Sequence, residues 1–71
     1  MIRNRRLATV QDFQEAMDNE IPVRVFKDDM MIDSGGRIIR FDDTIVVIQS
    51  GVSDVAYHSR EQCEFFEMKK P

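Results

Sequence analysis

Apolar residues along the chain fall into two rhythms. Between Thr9 and Asn19 they come at Val10, Phe13, Ala16 and Met17, offsets that share one helical face, while Gln11, Asp12, Gln14, Glu15 and Asp18 cover the other. Thr9 suits the N-cap, and Asp12 three places on completes a capping box with an acid shorter than the usual Glu, its charge favoured at the positive helix end. Pro22 forbids continuation, so the spacing predicts a helix that stops by about Glu20 and leaves through Ile21 in extended geometry. From Val23 onward short apolar clusters are broken at regular intervals by Asp, Ser or Gly, as in a small barrel or sandwich.

Five strands are expected after the helix. Pro22 to Lys27 is the first and Asp28-Asp29 turns it. Met30 to Asp33 and Arg37 to Phe41 form the second, interrupted at Ser34-Gly35-Gly36, where paired glycines mark a bulge or bend. Thr44 to Gln49 is the third; its Ile-Val-Val-Ile centre is apolar on both faces and therefore central or covered on its second side. Val55 to Ser59 and Gln62 to Met68 complete the set. The organisation read from this pattern is a flexible basic N-terminal arm over 1–8, one domain over 9–68 and a tail over 69–71.

With 71 residues the chain is one small domain that would be marginal alone and gains from self-association. The usual substitutes for a large core, a disulfide framework or a structural metal, need more than one Cys (Cys63) and one His (His58), so no cofactor or metal is expected. The longest apolar run, Ile45 to Ile48, is far too short to cross a bilayer, and no apolar segment follows the basic start, which together point to a cytoplasmic protein. A net charge of -3 has the wrong sign for holding polyanions by bulk electrostatics, so any nucleic-acid site must be local.

One helix followed by five bent strands is the element order of the Sm-like barrel, and specific residues match as well. Gln11-Asp12 with Phe13, Ile21-Pro22-Val23 with Phe26, Gly36-x-Ile38-x-x-Phe41-Asp42, the Ile45 to Ile48 strand and Tyr57 together resemble the Hfq family of bacterial Sm-like RNA chaperones, over roughly residues 9 to 66 with one inserted residue between Met30 and Gly35. The resemblance implies a mostly β fold, an Sm-like (SH3-like) small barrel of five bent antiparallel strands preceded by one N-terminal α-helix. It further implies a ring, usually of six, joined between the fourth strand of one subunit and the fifth of the next, that binds single-stranded RNA.

The sequence departs from the family pattern after Tyr57, where His58-Ser59-Arg60 replaces the family's Lys then His, so the proximal, U-rich site is degenerate and A-rich RNA is the expected ligand ahead of U-rich. The residues implied for RNA binding are Phe26, Met31 and Ile32 as apolar base pockets, Arg37 and Arg40 as cations, and Tyr57 and His58 in the fourth strand. Each also has a plainer reading. Phe26 and Tyr57 suit core or interface positions, His58 a hydrogen-bonded surface residue, Cys63 a small buried apolar residue, and Asp28-Asp29 and Asp42-Asp43 hairpin turns in which Asp is favoured for backbone reasons. No acid-base or nucleophile set is present, so enzymatic activity is not expected. The rival function keeps the small barrel as a protein-interaction or assembly module, with a protein partner in place of RNA.

Overall fold

A computed structural model describes residues 5–68. Arg3 of the expected arm and the tail 69–71 lie outside the described residues. The elements in chain order are β1 (Arg5–Leu7), α1 (Val10–Asp18), β2 (Val23–Lys27), β3 (Met30–Phe41), β4 (Ile45–Gln49), β5 (Val55–Ser59) and β6 (Glu64–Glu67).

The helix is fixed at both ends by groups near in sequence. Thr9 Oγ1 accepts the Asp12 N–H at 3.1 Å, while Asp12 Oδ2 accepts the N–H groups of Ala8 at 3.0 Å and Thr9 at 3.1 Å, so the capping box closes with the shorter acid. At the other end the Ile21 N–H reaches Ala16 O at 3.0 Å and the Glu20 N–H reaches Met17 O at 3.2 Å. This is a Schellman ending, with Glu20 at φ 52 where glycine is usual. Pro22 then carries the chain into β2, as its fixed φ requires.

The strands form one six-stranded antiparallel sheet in the order β1-β6-β2-β3-β4-β5. Two expectations are revised here. Among the described residues the sheet does not close into a barrel, because no ladder joins β1 to β5. A sixth strand also precedes the helix: Arg5, Arg6 and Leu7 pair with Glu67, Phe66 and Phe65, so the sheet begins inside the stretch expected to be a flexible arm. The signal for it is Leu7, a lone apolar residue behind the arginines that is 3% exposed in the core.

β3 belongs to both halves of the sheet, pairing with β2 through its first part and with β4 through its second. Three register shifts bend it. Val23 and Arg24 face Gly36 and Ser34, leaving Gly35 as the extra residue at φ 89, and the other two extra residues are Ile32 and Ile39. The bend expected at Ser34-Gly35-Gly36 is therefore one of three. Gly36 is needed for a different reason: a Cβ there would collide with Ile48 Cγ2 and lie 2.8 Å from Ser50 Oγ. Gly36→Ala is expected to destabilise the domain by about 1–3 kcal/mol through overpacking, read as a lower midpoint in urea.

Curling brings both halves onto one core. Val23, Val25 and Phe65 from one half, Ile38, Val46 and Ile48 from the other, and Phe13 and Ala16 from the helix form a single buried cluster with Leu7 and Cys63. The Cys63 thiol is free and buried, in keeping with an apolar role. Phe13 lies 5.6 Å from the Phe41 ring and 5.5 Å from the Phe65 ring, and the Arg60 guanidinium caps it 4.8 Å from its centroid. Arg60 also donates to Asp42 O at 2.8 Å, tying the turn before β4 to the turn after β5.

Both Asp pairs serve turns. Asp28 and Asp29 take φ 52 and 65, the mirror-image turn whose twist suits a two-residue hairpin. Asp42 Oδ1 accepts the Thr44 N–H at 2.8 Å, the Ile45 N–H at 2.9 Å and the Thr44 hydroxyl at 3.0 Å. The Ile45 and Thr44 amides hold its carboxyl below the usual Asp value, and the Ala8 and Thr9 amides do the same for Asp12. A lowered folded pKa gives stability that is present above the ordinary value of 3.8 and is lost as pH falls through the folded value. Unfolding midpoints measured from pH 6 to pH 2 should therefore drop below about pH 4 in the wild type. The Asp12→Asn/Asp42→Asn protein keeps an acceptor at each position and should show a shallower acid limb.

Candidate nucleic-acid interface

The residues implied for RNA binding divide among three places. Val23, Val25, Phe65 and Glu67 point to the core, so by strand alternation Arg24, Phe26, Glu64 and Phe66 face outward. Phe26 meets Phe66 edge to face at 5.6 Å, and Met31 stands opposite Phe26 across the hairpin. The bulge residue Ile32 and Met31 are about half exposed, and Met30 at the tip is 70% exposed. This first face is apolar but flanked by acids, since Asp29 and Glu64 line the shallow hollow that holds Phe26 and Phe66. Arg6 is already engaged there, 3.5 Å from Glu64.

The second face lies on the outer side of β3, β4 and β5. Residues directly opposite one another in antiparallel strands share a face, and two rows run across the three strands: Arg37, Gln49 and Val55, then Arg40, Val47 and Tyr57. In a regular strand residues three apart point to opposite sides, but the extra residue Ile39 restores Arg37 and Arg40 to the same one. Both arginines therefore belong to one face and do not straddle the sheet. Tyr57 is 67% exposed. Val47 between Arg40 and Tyr57 is buried although it points away from the core, which accounts for a third strand that is apolar on both sides.

The electrostatics of the two faces differ. Among the described residues, ion pairs occupy Arg5, Arg6 and Arg60, while Arg24 and Lys27 on the strand of Phe26 and Arg37 and Arg40 on the second face meet no carboxylate within 4.0 Å; the difference lies in Asp29 and Glu64, which flank the first face. Arg37 gives its Nε to Glu20 O at 3.3 Å, which leaves its terminal nitrogens for an anion. Gln49 donates to Val52 O at 3.2 Å and lines, with Arg37, Ile39 and Val52, a groove of about 500 Å³ at the edge of this face. Gln49 and Val47 were not legible in the sequence as parts of a surface, because only the register shows which side of β4 each occupies.

His58 joins neither face. Next to Tyr57 on β5, it turns inward, where its Nε2 lies 3.1 Å from Asp33 Oδ2 and its ring stands 6.3 Å from Phe65. Asp33 Oδ1 in turn accepts the Ser34 N–H at 2.9 Å and the Ser50 hydroxyl at 3.4 Å. The group is a crosspiece between β3 and β5, which are not neighbours in the sheet, and matches the plainer reading of His58 as hydrogen-bonded. A histidine held in this way is not placed to meet RNA on the outer face.

Among the described residues no group of three or more His, Cys, Asp or Glu is arranged to hold a metal ion, and no helix is long and apolar enough to cross a membrane. No family profile, curated protein or solved structure matches this chain.

Proposed function

We propose that the protein binds single-stranded RNA on the outer face of β3, β4 and β5, with Tyr57 as the stacking platform and Arg37 and Arg40 as the phosphate contacts. The observation that carries this reading is the row Arg40-Val47-Tyr57, which sets an exposed ring on the same face as Arg40 with one strand between them; Arg40 meets no carboxylate within 4.0 Å, and Asp42 is the acid that feels its charge. An aromatic ring on a sheet face accepts any base, and neighbouring guanidinium groups neutralise the backbone, which suits a binder that presents RNA and does not cut it. The Phe26, Met31 and Ile32 face is the weaker site, because Asp29 and Glu64 would repel the phosphates there. On the same reading α1 to β6 is a divergent Sm-like body, of the kind the Hfq resemblance implies, and β1 is an addition to it. A ring closed between the fourth and fifth strands after the helix, here β5 and β6, would require β1 to leave the β6 edge.

The test is fluorescence anisotropy with labelled A-rich and U-rich oligomers at low salt. Binding is expected to weaken as salt rises, and Tyr57→Ala is expected to cost about 1–3 kcal/mol for the base it stacks, roughly 5- to 150-fold in affinity. Absence of binding by the wild type to either oligomer would refute RNA binding.

The interaction-module reading is favoured by one observation, the exposed Met30, Met31 and Ile32 tip, where flexible apolar side chains suit a protein groove. Affinity that is insensitive to salt and lost on Met31→Glu would favour it.

A further inference from the structure

The two edges of the sheet are built differently. β1 is three residues long, and its arginines are ion-paired to Asp12, Glu15, Glu67 and Glu64 within the same chain. It is a short, charged edge of the kind that discourages pairing. β5 is five residues long, pairs with β4 without a register shift, and leaves its other side without a strand partner among the described residues. Its sequence, Val55-Ala56-Tyr57-His58-Ser59, contains no Lys, Arg, Asp, Glu or Pro. Along Val55 to His58 none of the devices that guard an open edge is present; only at its end is the edge engaged, where Ser59 O accepts the Cys63 N–H at 3.0 Å.

We propose that β5 pairs with β5 of a second copy of this chain, antiparallel and about a two-fold axis at Tyr57. Three observations select this occupant. Opposite residues must share a face, so only registers that keep outer residues opposite outer ones are allowed. The register centred on Tyr57 sets Val55 opposite Ser59 of the second copy and Ala56 opposite its His58, with the Tyr57 pair making the central bonds because Ser59 O already accepts the Cys63 N–H. The strand carries no Lys, Arg, Asp or Glu although the chain has a net charge of -3, and its one basic residue, His58, is turned inward onto Asp33, so two copies meet without like charges facing one another at the edge. Finally, Val55 and Tyr57 are exposed at this edge and would shield each other across the axis. Pairing through the same patch on both copies closes after two chains, whereas a head-to-tail contact would continue into a ring. The proposal does not require RNA binding, although it sets Tyr57, the stacking residue of the proposed RNA site, on the dimer axis.

The experiment is the mass of the nuclease-treated protein by light scattering, together with oxidation of Tyr57→Cys. Two chains, twice 8.3 kDa, are expected for the wild type, and one chain for Tyr57→Lys, which places like charges on the axis. Directly opposite residues of an antiparallel pair have Cα atoms roughly 4.5–5.5 Å apart, within disulfide reach, so the Tyr57→Cys protein should cross-link to a dimer. Cys63 is buried and does not compete. A monomeric or six-chain wild type, or a Tyr57→Cys protein that dimerises in solution without cross-linking, would overturn the proposal.

Discussion

Phe13→Ala is expected to destabilise the domain by about 3–5 kcal/mol, the largest effect of any single truncation considered. Phe13 is the residue through which the helix joins the sheet: it is buried, it packs on Phe41 at the end of β3 and on Phe65 in β6, and it supports the guanidinium of Arg60. Removing the ring opens a cavity bordered by strands from both halves of the sheet, and these cannot collapse inward without disturbing the β3 bulges. A domain of this length has about 4–10 kcal/mol of stability in total. Urea denaturation followed by circular dichroism should show the midpoint collapse toward zero denaturant, whereas Phe26→Ala, on the partly buried outer face, should lose less. Equal losses for the two variants would mean that the helix is not held by Phe13.

The second large effect concerns binding and should leave the fold intact. Arg37→Gln/Arg40→Gln removes both cations of the second face, and Gln keeps a donor for Glu20 O at position 37. Losing phosphate contacts weakens binding about uniformly across sequences, so the double variant should bind A-rich and U-rich oligomers more weakly by a similar factor at low salt. The dependence of affinity on salt should flatten at the same time, since each lost phosphate contact lowers the slope of log K against log salt by about 0.7 for a single strand. The unfolding midpoint should shift by no more than about 0.5 kcal/mol, as for other exposed positions. Retained affinity in the double variant would move the binding surface to the Phe26 side.

The elements were legible because local rules decided them. Thr9 with Asp12 fixed the start of α1, Pro22 its end, and the Asp pairs two of the turns; none of these needs knowledge of a distant residue. β1 was not legible, because three residues with one apolar side chain have no periodicity, and it is the vacant edge of β6 that makes Arg5–Leu7 a strand. Closure failed for a related reason: periodic strands specify neighbours but not whether the first and last meet. On the candidate site, Tyr57, Arg37 and Arg40 were legible as residue types. Their common face was not, since it depends on the extra residue at Ile39, and bulges away from glycine leave no mark in the sequence. His58 shows the opposite case, for its inward direction follows from Tyr57 pointing outward one place before it.

β3 has a consequence for how the molecule comes apart. A strand that supplies hydrogen bonds to β2 along one stretch and to β4 along the next leaves no seam at which half of the sheet could detach while the other half persists. The common core, filled from both halves, adds a second reason. Native-state hydrogen exchange should therefore find the amides of β2, of β4 and of both stretches of β3 opening with one shared free energy, as a single cooperative unit.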